Sequence, residues 1–130
     1  MRESNKKKGS DFESEWVEYL SKQGYWAHKL APSDNGSQPF DVIAVNGNKF
    51  IGYECKTCAT KRFDLKRVED NQYYAISKAL KSGIDVRFVF KLDSGSAWEL
   101  KAGIILDFIN SGIKSFKVNE RCVKIENYNR

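Results

Sequence analysis

Histidine occurs once in this 130-residue chain, at His28, and cysteine three times, at Cys55, Cys58 and Cys122. A closed zinc site takes about four nitrogen or sulfur ligands. Cys55 and Cys58 have C-x-x-C spacing, but the single histidine and Cys122 supply no matching pair, so the sequence argues against a zinc domain. An odd thiol count without an export signal points to reduced cysteines rather than a disulfide framework. Cys55 then reads as a small apolar strand residue. No apolar run approaches the ~18 residues of a membrane span. The opening from Met1 to Lys8 is polar and basic, without a signal-peptide pattern, so the expectation is a soluble, cytoplasmic protein with no membrane partner. Proline occurs only twice, at Pro32 and Pro39, both within one turn-rich stretch. No internal repeat or low-complexity tract is visible, which excludes solenoid arrays.

What is present suffices for one domain: 41% of residues are hydrophobic and 13% aromatic, enough to build a core. The formal net charge is +5, and the excess is uneven, with Lys6, Lys7 and Lys8 forming one cluster and Lys61, Arg62, Lys66 and Arg67 another. Such clusters favour a polyanionic partner. Basic runs are also common on plain solvated surface, so charge alone does not decide.

Residues 1–9 read as a basic arm ahead of a single domain spanning 10–130. Phe12, Trp16, Tyr19 and Leu20 recur at helical spacing and Gly24 supplies a stop, which predicts a helix over 10–23. A strand is expected over 25–30, followed by a loop over 31–39. Strands over 41–45 and 49–54 follow, then a helix over 65–82 with Val68, Gln72, Ala75, Ile76 and Ala79 on one stripe. Val86 to Phe90 is a dense apolar strand. A short strand over 97–100, a short helix over 104–110 and small strands over 115–118 and 122–125 complete the chain. This order, αβββαβ with appended elements, predicts an α/β fold with a mixed sheet flanked by helices.

The chemistry concentrates in Pro39-Phe40-Asp41 and, twelve residues after Asp41, Glu54-Cys55-Lys56. Asn46-Gly47 predicts a two-residue hairpin in which Val45 faces Asn48 and Asp41 faces Gly52. Side chains alternate along a strand, so Asp41, Glu54 and Lys56 share one face while Tyr53 and Cys55 point the other way. On that register the two carboxylates are diagonal neighbours roughly 7 Å apart, close enough to share a divalent ion. With water, a phosphate oxygen and the Cys55 carbonyl, Asp41 and Glu54 would give an all-oxygen site for Mg²⁺, or Mn²⁺ as substitute. Lys56 could orient a water or stabilise charge on a phosphate. Two exposed carboxylates and a surface ion pair would be the plain alternative. Two carboxylates and an amine so placed can hydrolyse a phosphodiester.

Three stretches carry a resemblance to a known family. Lys8-Gly9-Ser10-Asp11-Phe12-Glu13 is similar to the K-G-S-x-x-E opening of archaeal Holliday-junction resolvases and to the R-G-x-x-x-E opening of the RecU family. Asp41-Val42-Ile43-Ala44 followed by Glu54-Cys55-Lys56-Thr57 resembles the D-x-x-A and E-x-K blocks of both. Phe63-Asp64-Leu65-Lys66-Arg67-Val68 with Asn71-Gln72 resembles the F-P-L-x-x-I…H-Q block of RecU. The likeness covers residues 8–80 and points to the PD-(D/E)XK nuclease superfamily, although Phe40 separates Pro39 from Asp41, RecU's long insertion has no room and Asn71 replaces its histidine.

The resemblance implies a restriction-endonuclease-like fold and a metal-dependent endonuclease that resolves four-way DNA junctions as a homodimer. Another DNA nuclease of the superfamily, or a non-catalytic DNA-binding module, are the alternatives. It also implies Glu13 as an outer metal ligand, although Ser10 and Glu13 alone would read as a helix capping box. Gln72 joins the catalytic set with Glu13, Asp41, Glu54 and Lys56, through Lys56 or a phosphate, or else makes a plain core hydrogen bond. Lys6, Lys7, Lys8, Lys61, Arg62, Lys66 and Arg67 would contact DNA, and Ser37 would approach the site unless it, like Ser33, is only a turn former.

Overall fold

The computed structural model describes residues 5–32 and 38–128. Helix α1 (Asn5–Lys22) turns Phe12, Trp16 and Leu20 inward at intervals of four, and all three are buried. It begins at Asn5 rather than Ser10, so residues 5–9 of the expected arm are helical. Lysine is a good helix former, and the Lys7–Asp11 pair at 3.0 Å, one turn apart, supports the added length. The capping box therefore does not form. Ser10 lies inside the helix, where its Oγ accepts a hydrogen bond from Lys29 Nζ at 2.8 Å. Residues 1–4 of the expected arm, together with Ser33 and Ser37, lie outside the described residues.

Strands β1 (Trp26–Lys29), β2 (Val42–Asn46) and β3 (Lys49–Cys58) form an antiparallel meander. The β2–β3 turn is Gly47-Asn48 rather than Asn46-Gly47, with Asn46 pairing Lys49. A type II′ turn needs a positive φ only at its first central residue, and Gly47 supplies it at 59°. The register consequently moves by two residues. An even shift keeps every side chain on its face but sets Ile43, not Asp41, opposite Gly52, and leaves Asp41 one residue beyond the last β2–β3 pair, Val42 with Tyr53.

After β3 the chain forms β4 (Arg62–Asp64), a 3-10 turn (Leu65–Arg67) and α2 (Asp70–Lys81). The expected helix over 65–82 is thus broken. Asp64 accepts the Lys66 backbone N–H at 2.9 Å, and Val68 and Glu69 adopt extended backbone before α2 begins. Strand β5 (Asp85–Leu92) runs parallel to β3, and β6 (Ala97–Lys101) returns antiparallel into α3 (Ala102–Asn110). Strand β7 (Ser115–Lys117) pairs β4, an element absent from the sequence expectation; α4 (Val118–Arg121) and the edge strand β8 (Val123–Lys124) follow. The main sheet has six strands in the order β1-β2-β3-β5-β6-β8. The mixed α/β expectation holds, with one parallel junction at β3–β5.

Each sheet face carries its own core. On one, α1 packs Phe12, Trp16 and Leu20 against Val42, Ala44, Ile51, Tyr53 and Val89. On the other, α2 and α3 pack Ile76, Ala79 and Ile105 against Val86, Phe88 and Phe90. Covering both faces explains why β5 is almost continuously apolar. Gly52 lies on the α2 face beneath Phe40, the residue that delivers the chain to Asp41. A Cβ at Gly52 would come within 2.6 Å of Phe40 ring carbons, so this glycine is what lets the ring close over the sheet. Gly52→Ala should therefore lower unfolding free energy by about 1–3 kcal/mol, read as a reduced urea midpoint at unchanged slope. An unchanged midpoint would mean that the ring is free to move aside.

Candidate active site

Asp41 is fixed from three sides. Its N–H donates to the Tyr53 carbonyl and its own carbonyl accepts from the Leu30 N–H, both at 2.8 Å, which carries the ladder one residue beyond β2. Its Oδ2 accepts the Cys55 N–H at 3.0 Å. The carboxylate thus takes a backbone donor on the side of β3 that β2 no longer covers.

Glu54 interrupts a run of buried residues and is itself only 3% exposed. Gln72 Nε2, reaching down from α2, donates to its Oε2, and Lys56 Nζ stands 3.3 Å from that same oxygen. Oε1 meets no hydrogen-bond donor among the described residues. Burial, and then the neighbouring Asp41, raise the Glu54 pKa from an ordinary 4.5 to about 8, outweighing the attraction of Lys56. A buried carboxylate in this condition is uncommon unless something compensates it. Strained titration of this kind clusters at functional sites.

The structure therefore brings Asp41, Glu54, Lys56 and Gln72 together, with Gln72 bonded to Glu54 rather than to Lys56. The Cys55 side chain is buried in the α1 core. Backbone groups of alternate residues point the same way, so the Cys55 carbonyl faces the uncovered edge like those of Tyr53 and Thr57. The Thr57 carbonyl is already taken by Arg67 Nη1 at 2.8 Å, and the Arg67 guanidinium lies 5.2 Å from the centre of the Phe63 ring.

Glu13 stands further out. It projects from α1 to Lys29 at 3.5 Å, and desolvation followed by the charge of Asp41 raises its pKa, with Lys29 and Lys56 opposing. It does not complete a cluster: among the described residues no three His, Cys, Asp or Glu side chains converge as metal ligands. Lys29 is the contributor that sequence reading missed. It touches both Glu13 and Ser10, and only the β1–β2 pairing, which sets it beside Val42, places it at this end of the sheet.

Lys6, Lys7, Lys8, Lys61, Arg62, Lys66 and Arg67 are all exposed. Lys8 lines a cavity of about 290 Å³ with Asp11, Glu15, Thr57, Lys91 and Asp93. Arg62 is held by Ser115 Oγ at 3.1 and 3.3 Å, away from the carboxylates on the β4–β7 ribbon. Oxygen donors from Asp41, Glu54 and the Cys55 backbone could hold a hard divalent cation, and the unpartnered Oε1 is the feature that such an ion would satisfy.

Comparison with known proteins agrees with this geometry. A crystal structure of Hjc, a Holliday junction resolvase from the archaeal hyperthermophile Archaeoglobus fulgidus, superposes with a TM-score of 0.61 at 21% identity, covering 75% of each chain. The bacterial homing endonuclease I-Ssp6803I superposes with a TM-score of 0.62 at 12% identity, covering 98% of this chain and 84% of its own. At such identities both likenesses establish a common fold. No curated protein sequence matches the chain. The sequence model described as archaeal Holliday junction resolvase (Hjc) matches residues 4–91, about two thirds of the chain, running from α1 into β5 and including Glu13, Asp41, Glu54, Lys56 and Gln72. Spanning more than half of the chain and every element that builds the carboxylate site, that match shows that the protein belongs to the archaeal Holliday junction resolvase (Hjc) family.

Proposed function

We propose that this protein is a divalent-metal-dependent endonuclease that resolves four-way DNA junctions as a homodimer, hydrolysing one phosphodiester per subunit. The observation that carries the reading is the convergence of Asp41 and Glu54 on one sheet face, with Glu54 Oε1 lacking a donor among the described residues and Lys56 at 3.3 Å from Oε2. Asp41, Glu54 and the Cys55 carbonyl would hold Mg²⁺, or Mn²⁺ in its place, since all donors are oxygen. When bound, the cation supplies Lewis acidity to a phosphate oxygen and acidifies its water. Lys56, 15% exposed at the side chain, is open enough to orient that water or to oppose charge growing on the phosphate. Gln72 is a positioning residue, holding Oε2 and leaving Oε1 for the cation. Glu13 and Lys29 lie at the site's margin, where Glu13 would act through water rather than as a direct ligand.

Two strands must be cut symmetrically and each chain offers one site, so a two-fold dimer matches the junction's symmetry. The exposed lysines and arginines would contact phosphates, and recognition would rest on junction shape rather than base sequence. The deciding experiment is cleavage of a mobile four-way junction with and without Mg²⁺. Likeness to a homing endonuclease over nearly the whole chain favours a second reading, a nuclease of linear duplex. Matched linear DNA in the same assay separates the two.

Asp41→Asn and Glu54→Gln should each abolish cleavage while leaving junction binding in EDTA largely intact, because phosphate contacts elsewhere supply the affinity. Lys56→Ala should slow turnover by roughly 10²-fold. Equal loss of binding in the carboxylate variants would reassign them to the fold.

A second prediction concerns pH. Folded Glu54 keeps its proton up to about pH 8, whereas unfolded it ionises near 4.5. Metal-free protein is thus favoured at acid pH and loses this stability as pH rises through that window. Glu54→Gln should flatten this part of the curve and be the more stable protein above about pH 8. Mg²⁺ should raise the wild-type melting temperature but not that of the variant. Parallel pH curves for the two proteins would show that the carboxyl titrates normally.

Assembly gives a third. Sedimentation should find a dimer without DNA, and dimers pairing wild type with Asp41→Asn should nick junctions but rarely resolve them. A monomer that cuts linear duplex as readily as a junction would remove the resolvase reading and leave the nuclease.

A further inference from the structure

The carboxyl-terminal third, beyond the region matched by the family, adds β6 and β8 to the main sheet, α3 to its core and, through β7, one small ribbon with β4. Strand β7 pairs β4 with Arg62 opposite Lys117, Phe63 opposite Phe116 and Asp64 opposite Ser115. The ladder continues at both ends, where the Val118 N–H donates to the Lys61 carbonyl at 2.7 Å and the Leu65 N–H to the Lys114 carbonyl at 2.9 Å. Phe63 and Phe116 face inward and are buried, stacked near Phe90. The alternation then puts Arg62 and Lys117 side by side on the outer face.

Like charges directly opposite one another across a strand pair destabilise it. This pair is not neutralised in a way that would make it a structural device. Among the described residues Lys117 pairs with Glu120 at 3.6 Å, both side chains about half exposed, a geometry worth little, while Asp64 on the same outer face accepts the Lys66 backbone N–H. Arg62 is held by the Ser115 hydroxyl, which orients the guanidinium without cancelling its charge. Arg121 and Glu120 from α4 line the same shallow cavity of about 170 Å³ as Arg62 and Lys117. Lys61, Lys66 and Lys114 are exposed around it. A local rule is broken without a compensating gain in stability, which is the pattern of a functional surface.

We propose that the β4–β7 ribbon and α4 form a phosphate-binding surface for the duplex arm of a DNA substrate, with Lys114, Lys117 and Arg121 as contacts supplied by the carboxyl-terminal third. The inference rests on the nuclease reading above and adds to it a second contact region. Strand β4 begins four residues beyond the end of β3, so a short connection ties the ribbon to the strand that carries Glu54 and Lys56. The row of cations fits a backbone of regularly spaced phosphates rather than base edges, and the contacts should be independent of sequence.

The test compares wild type, Lys114→Ala/Lys117→Ala/Arg121→Ala and, as a control of equal sign elsewhere, Lys78→Ala/Lys81→Ala on the last turn of α2. Anisotropy of a labelled four-way junction in EDTA gives affinity over about 50 to 200 mM salt. The triple variant should keep its far-UV spectrum and melting temperature. Its slope of log affinity against log salt should become shallower by about one per cation removed, roughly three in all, and affinity at low salt should fall at least tenfold. The α2 control should retain the wild-type slope. An unchanged slope in the triple variant, or an equal loss in the control, would overturn the proposal. Wild-type protein that fails to bind the junction at any salt would instead overturn the nuclease reading itself.

Discussion

Glu54 is a carboxylate kept almost wholly out of water, in the middle of a strand whose neighbours are apolar on both sides. An uncompensated charge there would cost several kcal/mol. Three elements therefore converge on it. Helix α2 contributes the Gln72 amide, β3 itself contributes Lys56, and the loop ahead of β2 contributes Asp41, whose negative charge favours a proton on Glu54. The apolar packing of α2 against the sheet brings Gln72 to the carboxyl, and Phe40 above Gly52 delivers the chain to Asp41.

The face shared by Asp41, Glu54 and Lys56 was legible from strand parity alone, which is why an error of two residues in the turn did no harm to it. Parity survives an even slip, while the pairing does not: Gly52 is opposite Ile43, and Asp41 lies just past the Val42–Tyr53 pair with its N–H on the Tyr53 carbonyl. The turn itself was misread because Asn46-Gly47 matches one two-residue turn and Gly47-Asn48 another, and composition does not separate them. α2 was legible from its stripe. Its start was not, because Val68 is buried by the extended segment before the helix and so mimics helical periodicity.

Other features depend on partners far away in sequence. Strand β4 is three residues long and its burial pattern, exposed-buried-exposed, gains meaning only from β7 about fifty residues later. Lys29 had no local motif and is recruited by α1 through Glu13 and Ser10. That recruitment also explains why Ser10 and Glu13, three apart and suited to a cap, serve a different end: the lysine-rich segment before them extends the helix and leaves both side chains free to meet β1.

The site lies where β3 outruns its neighbour. Strand β2 pairs β3 only as far as Tyr53, whereas β5 accompanies it to Cys58. From residue 54 onward β3 is thus supported on one side and open on the other, and an open strand edge presents polar groups that need partners. Asp41 takes the Cys55 N–H and Arg67 takes the Thr57 carbonyl. Between them the edge keeps the Cys55 carbonyl beside two carboxylates, and around it stand Lys29, Lys56 and Arg67 facing Glu13, Asp41 and Glu54. A proton on Glu54 lets this crowded arrangement fold without a metal ion. On the proposed function, exchanging that proton for a divalent cation would place the added charge at Oε1, which no donor among the described residues occupies, so the cation would complete the site and relieve its strain together.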